Sequence, residues 1–316
     1  MQALRILAGP QALKHLQQHG LQAQDISVIP GAAGGPKGLV LGPLDRYLFG
    51  HWLPHSAQPI DLVGASIGAW RLATACLADP VQGLHRLEHD YIHQNYPVPP
   101  GQKRPSASQI SQAFSAGLQG FYGAHVSEVL QHPRYRLHVI TSHGRHLLGR
   151  EGAWRTPIGY AGAYLSNAVS RGWLGAWLER TVFSAQIEQG LPFDPNDFPT
   201  RHVALTADNF MPAVQASCSI PFMMQAVHDI PGAPAGAHWD GGITDYQRCG
   251  REFCGLVGGK GDEFRGQPAF SEQHLQQHHT GERGGVAVRD QRVRGDQPAG
   301  AQVGHGVLPS CRGVCV

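Results

Sequence analysis

A pentapeptide of the form G-x-S-x-G, Gly64-Ala65-Ser66-Ile67-Gly68, constrains the fold of this chain more than any other segment. Asp61-Leu62-Val63 ends an apolar run before it. Ala69-Trp70-Arg71-Leu72-Ala73-Thr74-Ala75 continues after it with good helix formers. A strand must therefore turn into a helix at the serine. So sharp a turn presses the serine backbone against its neighbours, and glycines at 64 and 68 relieve the crowding. The hydroxyl is lifted clear of the sheet at the N-terminus of the next helix. Two readings follow: Ser66 is a nucleophile of acyl transfer, or it is a solvated serine in an ordinary strand–turn–helix unit.

The flanking segments fit that unit into a larger pattern. Residues 25–30 read as a strand, a glycine cluster fills 31–38, and apolar residues then recur at helical spacing to about Gly50. Asp79-Pro80 ends the helix after Ser66 and opens another to about His93. A proline-rich loop covers 97–105, and helical patterning resumes over 108–130. Residues 134–141 and 201–206 read as strands. Residues 158–190 read as mainly helical, with Trp173, Leu174, Trp177 and Leu178 as core, and 211–219 as a short helix. Strands alternating with helices imply an α/β layered fold with a mostly parallel sheet.

Bulk properties exclude several classes. The 316 residues carry 25 Lys and Arg against 23 Asp and Glu, with no dense basic run, so nucleic acid is not implied. No apolar stretch has transmembrane length. Residues 1–21 lack the apolar core and cleavage site of a signal peptide, so the expected compartment is the cytoplasm, export without a cleaved signal aside. Cys76 and Cys218 lie in apolar helical contexts and read as small core residues. Cys249, Cys254, Cys311 and Cys315 lack regular zinc-ligand spacing, and no EF-hand loop is present, so neither metal nor cofactor is expected. From about Gln247 the periodicity collapses into Gly, Arg, Gln and His. Residues 1–246 are thus read as the folded domain. Residues 247–316 are read as an atypical tail, either disordered or translated in a shifted frame, which resequencing the coding DNA would distinguish.

Two further segments carry chemistry. Gly34-Gly35-Pro36-Lys37-Gly38 lies between the first strand and a helix. It is not a phosphate loop of the G-x-x-x-x-G-K-[ST] type, because Gly38 follows Lys37, and the dinucleotide pattern G-x-G-x-x-G fails at Ala33. Its backbone N–H groups suit a developing oxyanion, where each aimed donor is worth about 2.7–4 kcal/mol. Pro36 has no N–H and starts the helix, leaving Gly34 and Gly35 as donors. Lys37 either braces the loop against a carboxylate or carbonyls, or is a solvated surface lysine. Asp240-Gly241-Gly242 follows His238-Trp239 and is either a simple turn or a catalytic base. An ordinary Asp, with a pKa of about 3.9, is a weak base at neutral pH, so the second role requires partial burial.

Taken in order, the Gly-Gly-x-Lys-Gly loop, the Ser66 elbow and the late Asp-Gly-Gly resemble the patatin-like phospholipase family. Ala216-Ser217-Cys218-Ser219-Ile220-Pro221 is similar to that family's A-S-x-A-x-P segment, with Ser219 in place of the usual Ala. The resemblance covers about 27–245 and implies a three-layer α/β/α fold with a mostly parallel central sheet over the 1–246 domain. It implies a dyad of Ser66 as nucleophile and Asp240 as general base, with no catalytic histidine. Gly34, Gly35 and Gly38 become the oxyanion loop, and Lys37 takes the place of the family's Arg or Lys. Gly64 and Gly68 flank the elbow, and Gly241 and Gly242 complete the late motif. The implied activity is hydrolysis of lipid carboxylic esters through an acyl-serine, with a lipid or acyl ester as substrate and transient contact with a membrane surface. Two features depart from the family: Ala33 stands where glycine is frequent, and the tail does not resemble its closing strands and helices.

Two other functions compete. An α/β-hydrolase esterase with a Ser-Asp-His triad needs a histidine after its acid. After Asp240 only His274, His278, His279 and His305 occur, all in the tail, while His228 and His238 precede it. The third possibility is an inactive patatin-like homologue that acts as a binding protein.

Overall fold

The computed structural model describes residues 8–98 and 100–245; the tail, with its four cysteines and the question of its reading frame, lies outside them. In chain order the elements are α1 (Pro10–His19), β1 (Val28–Gly31), α2 (Gly42–Tyr47), β2 (Ile60–Ala65), α3 (Ile67–Ala75), α4 (Pro80–Ile92), α5 (Ala107–Tyr122), α6 (Val126–Leu130) and β3 (Tyr135–Gly144). They continue with α7 (Arg155–Val169), α8 (Arg171–Leu174), β4 (Leu178–Ser184), β5 (Thr200–Ala204), α9 (Ala207–Ser217), β6 (Val227–His228), β7 (Ala237–Asp240) and α10 (Gly242–Asp245). Local chemistry sets several boundaries. Asp79 caps α4 by accepting the Gln82 N–H, and Ser106 and Gln109 form a reciprocal capping box at the start of α5. The glycine loop runs into a 3₁₀ turn, Gly35–Leu41, with Pro36 in its first turn.

The protein is mixed α/β, and its sheet runs β1-β2-β3-β4-β5. Three of the four pairings along this path are parallel, and the β3–β4 step is antiparallel. β3 is long enough to hold two partners on one edge. Its first part pairs with β2 in parallel, and its last part pairs with β7 in antiparallel. On one face Ile60, Leu62, Leu137, Val139 and Phe183 join the main core with residues of α3, α4, α5 and α9. On the other face Val63, Ala65, Ile140 and Val182 pack with Phe193, and Leu178 packs with Leu148, Ala163 and Leu174 beneath α7 and α8. The alternation of these residues along each strand is the period-two signal of a sheet covered on both faces.

The reading of 158–190 as mainly helical is corrected. Helix ends at Leu174, and Leu178–Ser184 is a wholly buried strand. Glu179 and Arg180 interrupt its apolar run, and they are tolerated because both charges find partners inside the fold. Leu174 and Leu178 are core as expected, but Trp173 is 60% exposed. The 108–130 segment is two helices, divided at Gly123. Cys76 and Cys218 are buried free thiols, as expected.

Candidate active site

The site arises where two strands converge. β2 runs parallel to β3 and pairs through Ala65 with Ile140; β7 runs antiparallel and pairs Asp240 with Thr141. Their C-terminal ends therefore meet head to head along one edge of β3. Ser66 leaves one strand and Asp240 ends the other, and Ser66 Oγ donates to Asp240 Oδ2 at 2.7 Å. The second carboxylate oxygen, Oδ1, accepts the Gly242 N–H at 2.7 Å. Ser142 Oγ on β3 donates to the Asp240 carbonyl at 2.9 Å.

Ser66 has φ 55° and ψ −129°, a left-handed conformation that costs a non-glycine residue roughly 1–3 kcal/mol. Close packing holds it there. A Cβ on Gly64 would stand 2.5 Å from the Ala69 backbone nitrogen, and one on Gly68 would stand 2.0 Å from the Gly31 carbonyl oxygen. The Ser66 N–H donates to Ser217 Oγ at 2.9 Å, and Ser217 Oγ donates in turn to the Ile140 carbonyl at 2.6 Å. Because Ser217 occupies the Ser66 amide, that amide is not a free oxyanion donor. The segment after α9 also holds the acid: Asp240 N–H donates to the Ser219 carbonyl at 3.0 Å, and Gly241 N–H to the Ser217 carbonyl at 3.1 Å.

The glycine loop lies against the elbow. The Gly31 and Ala32 carbonyls face the Gly68 α-carbon, and a Cβ on Gly38 would stand 3.0 Å from the Ile67 side chain. Gly34 and Gly35 have φ of 154° and 55°, conformations open to glycine, and Gly35 begins the 3₁₀ turn. Gly38 is buried and packs against the elbow helix. Lys37 is exposed, with no ion pair or side-chain hydrogen bond among the described residues, which fits a solvated lysine rather than a brace.

Burial pushes Asp240 up to about 6, against smaller lowering effects of the Ser66 and Gly242 hydrogen bonds. Ser66 and Asp240 are only 6% and 7% exposed. Neither His228 nor His238 hydrogen-bonds to either of them. His238 Nδ1 lies 3.1 Å from Thr141 Oγ1 and Nε2 3.1 Å from the Pro234 carbonyl, and burial lowers its pKa to about 4. His228 Nε2 instead accepts the Glu151 N–H.

Three neighbours of the dyad carried no chemical role in the sequence. Ser217 stood inside the A-S-C-S-I-P segment. Cys218, next to it, has its thiol pKa raised by burial and further by the Asp240 charge. Tyr160 on α7 packs edge-on to Trp239 at 5.8 Å and to Phe222 at 5.7 Å. Burial and then the Asp240 charge raise its phenol pKa, and its hydroxyl has no hydrogen-bond partner among the described residues.

A second acid–His–Ser arrangement lies within the sheet. His138 bridges Asp61 Oδ1 at 3.0 Å and Ser184 Oγ at 2.7 Å, Arg136 pairs with Asp61, and His202 bonds Ser184 at 2.8 Å. Ser184 is buried and sits in a strand without an elbow or a glycine loop, so this network is structural.

Among the described residues no group of three or more His, Cys, Asp or Glu is placed to hold a metal, and no helix is long and apolar enough to cross a membrane. No protein-family model, no curated protein and no solved structure matches the chain.

Proposed function

We propose that the chain is a lipid acyl hydrolase of the patatin-like type, built on that family's three-layer α/β/α fold and working through a Ser66–Asp240 dyad. The observation that carries this reading is the 2.7 Å hydrogen bond from Ser66 Oγ to Asp240 Oδ2, between a strained elbow and a buried acid far apart in sequence. Asp240 takes the hydroxyl proton as Oγ attacks the ester carbonyl, giving a tetrahedral oxyanion. The Gly34 and Gly35 amides, in the loop whose Gly31, Ala32 and Gly38 pack on the elbow, are assigned to receive that charge. Collapse breaks the bond to the alcohol oxygen, and Asp240 returns the proton to it. Water then attacks the acyl-serine, Asp240 takes the water proton and gives it to Ser66 Oγ, and a fatty acid leaves.

For the triad reading, among the described residues neither His228 nor His238 reaches the dyad, and His274, His278, His279 and His305 lie outside them. A fluorophosphonate probe should label the wild type at Ser66 and fail to label Ser66→Ala. Asp240→Asn should lose hydrolysis of a p-nitrophenyl acyl ester by about 10²–10⁴-fold, the span of general-base contributions. Full activity in Asp240→Asn would sink the dyad. A wild type that is folded but unlabelled would favour a binding role instead.

A further inference from the structure

Helix α7 carries an outer stripe with no polar residue. Starting at its N-cap, Trp154, Ile158, Ala161, Leu165, Ala168 and Val169 recur at spacings of three and four and fall on one side of the helix. All of them are exposed, while Thr156, Gly159 and Ala163 face the core. The helix is thus apolar on both sides, although one side meets solvent. Trp173 on α8 is exposed as well. Contiguous exposed apolar surface of this kind marks an interaction site.

The side of α7 away from the stripe leads to a second exposed apolar segment, next to the dyad. Tyr160 of α7 packs against Phe222, and Ile220, Phe222 and Met223 are all exposed. That segment directly follows Ser219, whose carbonyl holds the Asp240 amide. Phe222 adopts φ 67°, unusual for a bulky residue.

Charge indicates the occupant. At the start of α7 Arg150 and Arg155 are exposed against one acid, Glu151, whereas Arg145 pairs with Glu179 and Arg171 donates to the Thr244 carbonyl. Arg155 lies over the Trp154 ring at 5.5 Å, a pairing suited to a headgroup region. A second copy of α7 is less suitable, because the positions flanking the stripe, Arg155, Pro157, Gly162 and Tyr164, offer no acid to pair with Arg155.

We propose that the α7 stripe and residues 220–223 dock the protein on an anionic phospholipid surface, holding the dyad beside the ester layer. The placement rests on the hydrolase reading above, whereas the docking itself is tested separately. The full chain is floated with vesicles of phosphatidylcholine alone or with added phosphatidylglycerol. Binding to the anionic vesicles should exceed that to the neutral ones by about tenfold or more and fall in high salt. The triple variant Ile158→Gln, Leu165→Gln, Trp173→Gln should bind about tenfold less or worse while hydrolysing a soluble p-nitrophenyl ester like wild type. Arg150→Gln with Arg155→Gln should reduce the preference for anionic lipid and leave the stripe intact. Failure of the wild type to float overturns the proposal, as does equal flotation of the triple variant. A dimer in sedimentation velocity that the triple variant disperses, without lipid binding, also overturns it and assigns the stripe to self-association. Flotation as expected with no ester hydrolysis leaves docking in place and removes the catalytic reading.

Discussion

Asp240 carries opposite demands at a single carboxyl group. Burial raises its pKa to about 6 in the folded protein, above the 3.8 of an ordinary aspartate. Between those values the native state binds more protons than the unfolded chain, so stability falls as pH rises through this window. Activity runs the other way, because only the carboxylate can accept the Ser66 proton. For a soluble ester, kcat/KM should rise with pH to a plateau above an apparent pKa near 6 in free enzyme. Asp240→Asn removes the charge that burial disfavours, so at neutral pH it should raise stability by up to about 3 kcal/mol while cutting turnover by about 10²–10⁴-fold. Thermal melts and initial rates on the same samples check both halves, and an inactive variant melting below wild type would contradict the linkage. Ser217 offers a second test at this scale. Its hydroxyl is the partner of the Ser66 amide and is itself tied to Ile140. Ser217→Ala leaves a buried N–H without that partner, a cost of about 1–3 kcal/mol. The elbow loosens while the ester-binding surface stays, so kcat should fall more than KM rises. A KM effect alone would assign Ser217 to substrate binding.

At the scale of elements, the site depends on how closely the glycine loop and the elbow helix approach. The Gly68 α-carbon sits under the Gly31 and Ala32 carbonyls with no room for a methyl group. In Gly68→Ala the clash falls on backbone, which cannot rotate away, so α3 and the loop must separate. We expect a loss of about 1–3 kcal/mol of stability or more and at least a hundredfold in activity, because the proposed oxyanion donors ride on the displaced loop. Wild-type rates in a folded Gly68→Ala protein would show that those donors lie elsewhere. The need for glycine at 64 and 68 was legible in the sequence, whereas the Gly31 and Ala32 carbonyls that Gly68 meets were not. Nor was the strand at Leu178–Ser184, since its burial depends on partners remote in sequence. Glu179 and Arg180 look like surface charges until His143 and Asp245 are placed beside them. Trp173 was misplaced for the converse reason: an indole reads as core wherever the chain is apolar, and nothing local reveals that the outer side of α7 and α8 is uncovered. Ser66 and Asp240 were legible as separate motifs, but their meeting depends on β2 and β7 sharing one edge of β3, which no local pattern contains.

At the scale of the whole molecule, the turn that carries Asp240 is held to the central sheet through Arg180. It is fully buried in β4 and donates through Nε to Asp245 on α10 at 2.9 Å, and through Nη2 to Asp197 at 2.9 Å. Its guanidinium lies 5.3 Å from the Phe193 ring centroid and 5.8 Å from that of Phe198. α10 starts two residues after Asp240, so this ion pair ties the turn carrying Asp240 to the central sheet. Removing the arginine alone leaves carboxylates facing a low-dielectric interior, at a cost of about 3–5 kcal/mol. Arg180→Met should therefore lower the denaturation midpoint and reduce activity together, as the turn carrying Asp240 frees itself from β4. Replacing the carboxylates as well, with Asp197→Asn and Asp245→Leu, removes the charges that made the single change costly. The triple variant should regain most of the lost stability. Its activity then separates two roles for the pair. If kcat returns with stability, Arg180 only balances buried charge. If stability returns and kcat does not, the directional hydrogen bond to Asp245 is what sets Asp240 against Ser66.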